Sequence, residues 1–257
     1  MISSAQNPKL KLARALLGRS KERREAGAFV AEGVRLAEEA LAANWPFRFA
    51  LAGETLGERG LLLVEALKAK GVDVETVADH LLTALSDTGN TQGLLTVLEL
   101  APIPIPEKLS FVLILDQIRD PGNLGTLLRT AAAAGVQAVF LPPETADAFA
   151  PKVVRAGMGA HFRLPVHALE WDAIRARVAG LNVLLADMDG VPCWETDLRA
   201  PLALVVGGEA EGASAAARQL ARGSISIPMP GKTESLNAGV AGSILVFEAV
   251  RQRSAGE

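Results

Sequence analysis

The sequence has little of several features that mark particular classes of protein. It contains one cysteine, Cys193, in 257 residues. A single thiol excludes an internal disulfide and a cysteine-based metal cluster, and it is typical of a reduced cytoplasmic protein. The formal net charge is −3, so no global positive field draws the chain to nucleic acid. Any such attraction has to be local.

Long apolar runs and clustered metal ligands are also missing. No apolar run reaches the length of about 20 residues that spans a membrane, and the N-terminus lacks the apolar core of a signal peptide. The 3 histidines are scattered without a second ligand at metal spacing, so we expect no metal and no membrane association. The remaining composition, 49% hydrophobic and 21% charged, is that of a globular protein with a sizeable core. We expect it in the cytoplasm.

Strand-like and helix-like segments alternate along the chain, which predicts an α/β fold. A proline-spaced stretch, APIPIP, interrupts the alternation and is typical of a semi-rigid linker. We therefore predict an N-terminal domain over residues 1–100, a linker over 101–107 and a second domain over 108–257. Strand, turn, helix and strand patterns between residues 111 and 141 predict a βαβ unit, which implies a parallel sheet.

The predicted helix over residues 7–25 is rich in lysine and arginine. Such a run is commonly a solvated helix face, but it can also be a phosphate-binding patch. The basic residues that we single out as candidate RNA contacts are Lys9, Lys11, Arg23 and Arg24.

Three loops that leave predicted strands of the second domain are candidates for one ligand site. They cover residues 116–123, 207–212 and 228–234, and each contains glycine or proline. Ligands of an open parallel sheet bind beyond the carboxyl ends of its strands, where such loops converge. The loop GGEAEG lacks the spacing of a dinucleotide motif, and its two glutamates would repel a pyrophosphate. A glycine-rich loop of this kind can indicate a nicotinamide-dependent oxidoreductase. These two features weigh against that class.

Two side chains near these loops have a candidate role of their own. Arg129 shares a helix side with small residues, so a phosphate can approach it closely, although a solvent-facing arginine is the plainer interpretation. Ser235 is placed to cap the last predicted helix. On its own, that last stretch is equally consistent with a capped core helix.

Taken together, three segments resemble in order and spacing the motifs of the SpoU/TrmH family. They are NLGTLLR at 123–129, GGEAEG at 207–212, and IPM with ESLN between 227 and 237. Members of this family are S-adenosylmethionine-dependent RNA ribose 2′-O-methyltransferases of the SPOUT superfamily. More loosely, the first domain resembles the family's accessory RNA-binding domain, a ribosomal-protein-like α/β fold.

The resemblance implies a fold and a quaternary structure that periodicity does not reveal. The expected fold is a C-terminal α/β trefoil-knot methyltransferase domain with a smaller N-terminal α/β substrate-binding domain. General topology rules argue against a knot. The resemblance also implies a homodimer with its site near the interface.

Residue roles follow from the match to the motifs. The cofactor S-adenosylmethionine is expected at Gly207, Ile227, Met229 and Leu236. Arg129 is expected to grip a phosphate and assist deprotonation of the ribose hydroxyl, while other motif side chains orient ribose and arginine. The implied catalytic set is Asn123, Arg129, Glu209, Ser235 and Asn237.

Ribosomal RNA is the preferred substrate, because a ribosomal-protein-like first domain suits it. Transfer RNA is one alternative. A non-catalytic RNA-binding protein that retains the fold is another, and the intact Arg129, Ser235 and Asn237 argue against it. With RNA as the substrate, the basic segment over residues 7–25 is expected to contact it.

Overall fold

The computed structural model describes residues 1–85, 92–208, 212–231 and 235–254. Helices and strands alternate along the chain, as the sequence predicts. The elements before the linker are α1 (Pro8–Gly18), α2 (Ser20–Ala26), β1 (Ala28–Glu32), α3 (Val34–Ala42), β2 (Phe47–Gly53), α4 (Glu58–Ala69), β3 (Val74–Val77), α5 (Asp79–Thr83) and β4 (Leu94–Glu99). The elements after it are β5 (Phe111–Asp116), α6 (Pro121–Ala133), β6 (Ala138–Leu141), α7 (Pro151–Gly157), a 3₁₀ turn (Ala160–Phe162), β7 (Val166–Ala168), α8 (Trp171–Arg177), β8 (Asn182–Pro192), β9 (Leu202–Gly207), α9 (Ala215–Leu220), β10 (Gly223–Ser226) and α10 (Ala238–Ser254).

The contacts between residues divide the chain into two compact units. The first unit contains Met1–Ala101 and Phe149–Phe162, and the second contains Pro102–Ala148 and Arg163–Glu257. A short segment that follows β6 in sequence therefore packs with the first unit. The functional division that we predict, at residues 1–100 and 108–257, concerns roles rather than contacts and stays a prediction.

The first unit is built on a mixed sheet in the order β1-β4-β2-β3. Strand β4 is antiparallel to β1 and β2, while β2 and β3 are parallel. Helix α1 buries Leu10 and Leu16 against one face of the sheet, and α4 buries Leu67 against the other. Helices on both faces give the sheet a two-sided core, which suits strands that are apolar along their whole length.

The segment Phe149–Phe162 completes the first unit through aromatic packing. Phe29 lies 4.9 Å from Phe149 and 6.4 Å from Phe162 between ring centroids, and Arg155 donates to Glu32 at 3.1 Å. His161 and Phe162 lie in a 3₁₀ turn, and both side chains are buried.

The second unit is built on a parallel sheet in the order β10-β8-β9-β5-β6-β7. Every pairing between neighbouring strands is parallel, so the parallel sheet predicted from the βαβ pattern is confirmed. Helices α8 and α9 cover one face, and α10 packs against α6, β9 and β8. A fully parallel sheet brings the carboxyl ends of neighbouring strands to one edge, and this sets the position of the site.

The loop after β8 is held against the last turns of α10. Gln252 Nε2 donates to the carbonyls of Cys193 and Thr196 at 3.2 and 3.1 Å, and Gln252 Oε1 accepts from Leu198 N at 2.9 Å. Arg253 also donates to Leu198 O at 3.1 Å. Burial raises the pKa of the Cys193 thiol, so this cysteine stays protonated under the loop. None of the helices in the described ranges is long and apolar enough to span a bilayer.

Candidate functional site

A cavity of about 530 Å³ lies at the carboxyl edge of the parallel sheet. Its walls come from the middle of β8, from the ends of β9 and β10 and from the start of α10. Two of the three predicted loops, 207–212 and 228–234, contribute lining residues, whereas no residue of the 116–123 loop does so among those described. The volume falls in the range of small-molecule sites, about 300–1,000 Å³.

Glycines at the end of β9 let the backbone fold back closely on itself. A Cβ atom on Gly207 would lie 2.7 Å from Ala213 N, and one on Gly208 would lie 2.5 Å from Gln117 O. Gly208 and Gly212 also form an isolated antiparallel bridge. No other residue type fits these approaches without a backbone shift, so the glycines shape this wall of the cavity.

The glycine loop is anchored to the end of β5 by a buried carboxylate. Asp116 is fully buried, and its Oδ2 accepts from Ser214 N at 2.6 Å. Ser214 in turn caps α9 by accepting from Ala217 N at 3.2 Å. The sequence analysis missed this role for Asp116, because the two partners lie 98 positions apart.

The four predicted cofactor residues meet at the cavity. Gly207, Ile227, Met229 and Leu236 all line it, together with the apolar side chains of Ile225 and Leu245. The four residues therefore line one cavity, as contact with a single ligand requires. Their contact with a cofactor stays a prediction.

The motif residues at the start of α10 line the same cavity. Ser235 and Asn237 are both lining residues. The expected helix cap at Ser235 is wrong, because α10 begins at Ala238 and Asn237 Oδ1 accepts from Val240 N at 3.1 Å. Asn237 is thus the capping residue. Glu209 lies outside the described residues.

Asn123 approaches the cavity rim through the packing of α6 against α10. A Cβ atom on Gly239 would lie 3.0 Å from Asn123 Oδ1 and 3.1 Å from Asn237 Oδ1. Both amide oxygens therefore lie close to Gly239, which admits them because it has no side chain. One turn further along, Thr130 and Ser243 share a hydrogen bond of 2.9 Å.

Arg129 is placed differently from the other motif residues. It is exposed on α6 and does not line the cavity. It makes no hydrogen bond or ion pair with any described residue. The guanidinium is therefore available to an external anion, but a single chain does not bring it into the cavity wall.

Two charged residues in the cavity wall lack a predicted binding role. Asp187 lies in the middle of β8 and Arg218 lies on α9, and Arg218 Nη1 donates to Asp187 Oδ2 at 2.8 Å. This hydrogen bond lowers the pKa of Asp187. From sequence, Asp187 is more commonly a turn aspartate than a cation ligand, and its pairing with a residue 31 positions away leaves no local signal.

The four candidate RNA contacts divide into two pairs. Lys11 and Arg24 are exposed. Lys9 Nζ instead donates to Asp73 and Glu75 at 2.5 and 3.1 Å. These hydrogen bonds outweigh burial, which alone would lower the pKa of Lys9, and the net effect raises it. The positive charge of Lys9 is therefore already balanced by Asp73 and Glu75 of the first unit.

Arg23 is a correction to the expected RNA surface. It is 3% exposed, and its guanidinium donates to Leu16 O at 2.6 Å and Gly18 O at 3.3 Å. These carbonyls lie at the end of α1, where helix carbonyls lack intrahelical partners. The predicted single helix over residues 7–25 is also wrong, since Arg19 is extended and separates α1 from α2. The buried Arg23 side chain therefore stabilises the break between α1 and α2 by donating to these carbonyls.

Comparison with known proteins adds an independent line of evidence. Residues 110–247 match the SpoU rRNA Methylase family. This chain belongs to that family. Residues 7–96 match the MRM3-like substrate binding domain. The resemblance read from the three motifs, the α/β fold class with a smaller N-terminal substrate-binding domain, and the RNA methyltransferase class are therefore confirmed.

Two relatives of this SpoU chain are named as 23S ribosomal RNA methyltransferases. The 23S rRNA (guanosine(2553)-2′-O)-methyltransferase RlmP of Bacillus subtilis is 34% identical and aligns over 96% of this chain and 97% of its own. The 23S rRNA (uridine(2479)-2′-O)-methyltransferase of Streptomyces viridochromogenes is 32% identical over 98% of this chain and 93% of its own.

Two solved structures match nearly the whole chain. The SpoU methyltransferase AviRb from Streptomyces viridochromogenes, in complex with the cofactor AdoMet, superposes with a TM-score of 0.88 at 30% identity, covering 98% of this chain and 100% of that one. An AdoMet-bound rRNA methyltransferase from Sinorhizobium meliloti gives a TM-score of 0.86 at 29% identity, covering 97% of each. AdoMet is S-adenosylmethionine, the cofactor expected from the motifs.

Proposed function

We propose that this SpoU methylase transfers a methyl group from S-adenosylmethionine to a ribose 2′-hydroxyl of ribosomal RNA. The observation that carries the proposal is the cavity at the carboxyl edge of the parallel sheet, where all four motif residues expected to hold the cofactor meet. The names of the relatives support ribosomal RNA as the substrate class.

The residues of the cavity fit this cofactor. Its walls combine apolar side chains, such as Ile225 and Leu245, with glycine-rich backbone at 207 and 208 and with the polar Ser226 and Ser235. An adenosine group is flat and largely apolar, and it carries hydrogen-bonding edges that main-chain groups can read. A Cβ atom at position 207 or 208 would clash with neighbouring backbone, so glycine is needed at both positions to form this wall.

When bound, S-adenosylmethionine supplies an electrophilic methyl group on a sulfonium. A ribose hydroxyl is a poor nucleophile while protonated, so a neighbouring group has to take its proton during the attack. We assign this assistance to Arg129, acting directly or through an RNA phosphate that it grips. Ser235 and Asn237 at the cavity, with Asn123 beside them, orient the ribose, and this positioning contributes much of the rate.

Arg129 and the cavity are separate in one chain, which favours the proposed homodimer. Helix α10 presents Val240, Ile244 and Phe247 on an exposed side, 47%, 36% and 48% exposed respectively. Their spacing forms a continuous apolar stripe. A second copy that covers this stripe buries apolar surface and gives each site access to residues of both chains.

The dimer proposal has a direct test. Phe247→Asp places a charge in the stripe and should convert the dimer to a monomer in sedimentation velocity. The matched control is Leu62→Asp, which places the same charge on an exposed apolar residue of α4, away from the stripe. A wild-type protein that is monomeric at micromolar concentration contradicts the proposal.

We propose that the first unit holds the RNA through its exposed basic residues. Lys11 and Arg14 lie three positions apart on α1, and Arg24 lies on α2; all three are exposed. Phosphate contacts of this kind fix position without reading sequence.

A ribosomal RNA substrate also implies that the protein acts in the compartment that contains ribosomes. We propose that this compartment is the cytoplasm.

The experiment that tests the function is a map of 2′-O-methyl sites in total RNA from cells with and without this protein. We expect one ribosomal RNA site to lose its methyl group and to regain it when the wild-type protein, but not Arg129→Ala, is restored. A site lost from transfer RNA would correct the substrate. An unchanged map together with no binding of S-adenosylmethionine would identify a non-catalytic RNA-binding protein.

A further inference from the structure

The cavity wall carries one pair of opposite charges whose role the motif residues do not explain. Among the described lining residues, Asp187 and Arg218 are the ones with formal charge. The side chain of Asp187 is 21% exposed and that of Arg218 is 53% exposed. A pair this open to water adds little stability, which points to a role at the cavity rather than in the core.

The geometry leaves Arg218 able to bind a second anion. One guanidinium nitrogen, Nη1, donates to Asp187 Oδ2 at 2.8 Å. The other terminal nitrogen, Nη2, lies 3.5 Å from the position that a Cβ atom on Gly212 would occupy, and so it faces the glycine loop. A guanidinium has five N–H donors in a planar fork and can bind two carboxylates at once. Asp187 fixes the plane of this fork.

The charge distribution of S-adenosylmethionine indicates which anion this is. Its adenosine end carries no negative charge, while its amino-acid end carries an ammonium and a carboxylate. The apolar and main-chain walls suit the adenosine end, and Arg218 is the cationic side chain among the described lining residues. We propose that Arg218 binds the carboxylate of the cofactor's amino-acid end and that Asp187 is the positioning residue that orients it. This inference rests on the proposed function, because it takes the cavity as the cofactor site.

A pair of ligands tests the inference by calorimetry on the full-length protein. S-adenosylhomocysteine carries the amino-acid end, whereas 5′-methylthioadenosine lacks it but keeps the adenosine. We expect Arg218→Ala to raise the Kd of S-adenosylhomocysteine roughly tenfold and to leave the Kd of methylthioadenosine unchanged, since one charge-assisted contact is lost. Arg218→Lys should recover part of the loss, because a lysine keeps the charge but not the fork.

Asp187→Asn should change the same ratio of the two dissociation constants by a smaller factor. A purely structural residue would weaken both ligands alike and would leave the ratio unmoved. Arg177→Ala removes an exposed arginine from α8 and is the matched control, with no expected change for either ligand.

The remaining outcomes overturn the proposal. Equal weakening of both ligands by Arg218→Ala means that Arg218 only supports the fold of the loop. Unchanged binding of both, with weaker RNA binding, assigns Arg218 to an RNA phosphate instead. If the wild-type protein binds neither ligand, the proposed cofactor site itself fails, and the inference fails with it.

Discussion

The two sheets of this protein differ in where the loops that follow their strands lie. In the first unit β4 runs antiparallel between β1 and β2, so loops leave the sheet at both of its edges. In the second unit all neighbouring strands are parallel, and the segments that follow β9 and β10 meet at one edge. The described cavity lies at that edge. Strand direction therefore explains why we assign the chemistry to the second unit and RNA holding to the first.

The sharpest way to break this division is Arg129→Ala in the second unit. We expect methyl transfer to fall by roughly 10²–10⁴-fold, the range contributed by a positioned proton-transfer group. The Kd of the cofactor should stay the same, because Arg129 does not line the cavity. Single-turnover transfer of a radiolabelled methyl group measures the first quantity, and calorimetry measures the second. Activity within a few-fold of wild type would remove Arg129 from the mechanism.

Charge reversal on the first unit tests the other half of the division. Lys11→Glu with Arg14→Glu should weaken RNA binding by roughly ten- to a hundredfold and reduce the slope of log K against log salt by about 2, one for each lost phosphate contact. Binding by filter assay at several salt concentrations gives both values. Lys68→Glu on α4 is the control, and an equal effect of this change would show a non-specific charge response.

A glycine pair tests how tightly the parallel sheet is built. A Cβ atom on Gly190 would lie 2.6 Å from backbone atoms of Ile225, whereas Gly180 has no atom within 4 Å of such a position. We expect Gly190→Ala to lower the free energy of unfolding by about 2–3 kcal/mol through overpacking. Gly180→Ala should change it by less than about 0.5 kcal/mol. Urea denaturation compares the two variants. Equal stabilities would mean that β8 and β10 move apart to accept the added methyl group at no cost in free energy.

Two adjacent arginines sharpen the distinction between structure and RNA contact within the first unit. Arg23→Ala leaves carbonyls at the end of α1 without their buried donor, and it should lower the free energy of unfolding by about 2 kcal/mol. Arg24→Ala should leave stability unchanged and weaken RNA binding by a few-fold. Thermal melts and RNA titrations of both variants separate the roles. A selective RNA defect in a fully stable Arg23→Ala protein would reverse our correction.

The smallest effect concerns the ion pair between Arg48 and Glu99, on the two inner strands of the mixed sheet. Hydrogen bonds from Arg48 lower the pKa of Glu99 below its ordinary value of 4.5. A lowered pKa contributes stability above about pH 4.5, and this is lost as the pH falls through the folded-state value. Because the Glu99 side chain is 37% exposed, the contribution should stay below about 1 kcal/mol.

Glu99→Gln should therefore be slightly less stable than wild type at pH 7, and the difference should shrink as the pH is lowered from 4.5 towards 3. Urea midpoints at the two pH values make the comparison. A difference between the two proteins that persists unchanged at pH 3 would show that the carboxylate charge is not its source.

The sequence pattern was sufficient to predict features that depend on residues close together in the chain. Fully apolar strands such as β5 and β9, and the turns that follow them, identified the parallel sheet and the loops at its edge. Pairings between distant residues carry no such signal. Asp116 with Ser214, Asp187 with Arg218 and the packing of Phe149 against Phe29 all depend on the finished fold.

Other errors came from side chains whose type permits two roles. Ser235 and Asn237 are both good helix caps, and only the backbone decides between them. Arg23 and Arg24 are identical in type and adjacent, yet helix geometry turns one inward and the other outward.

The clasp that Gln252 and Arg253 form with the loop between β8 and β9 has a consequence for biosynthesis. Helix α10 is translated after every other element described here, and it supplies both that clasp and one wall of the cavity. A nascent polypeptide still lacking this helix has no finished pocket, however well its earlier strands have folded. Cofactor capture should therefore begin only once α10 has emerged from the ribosome.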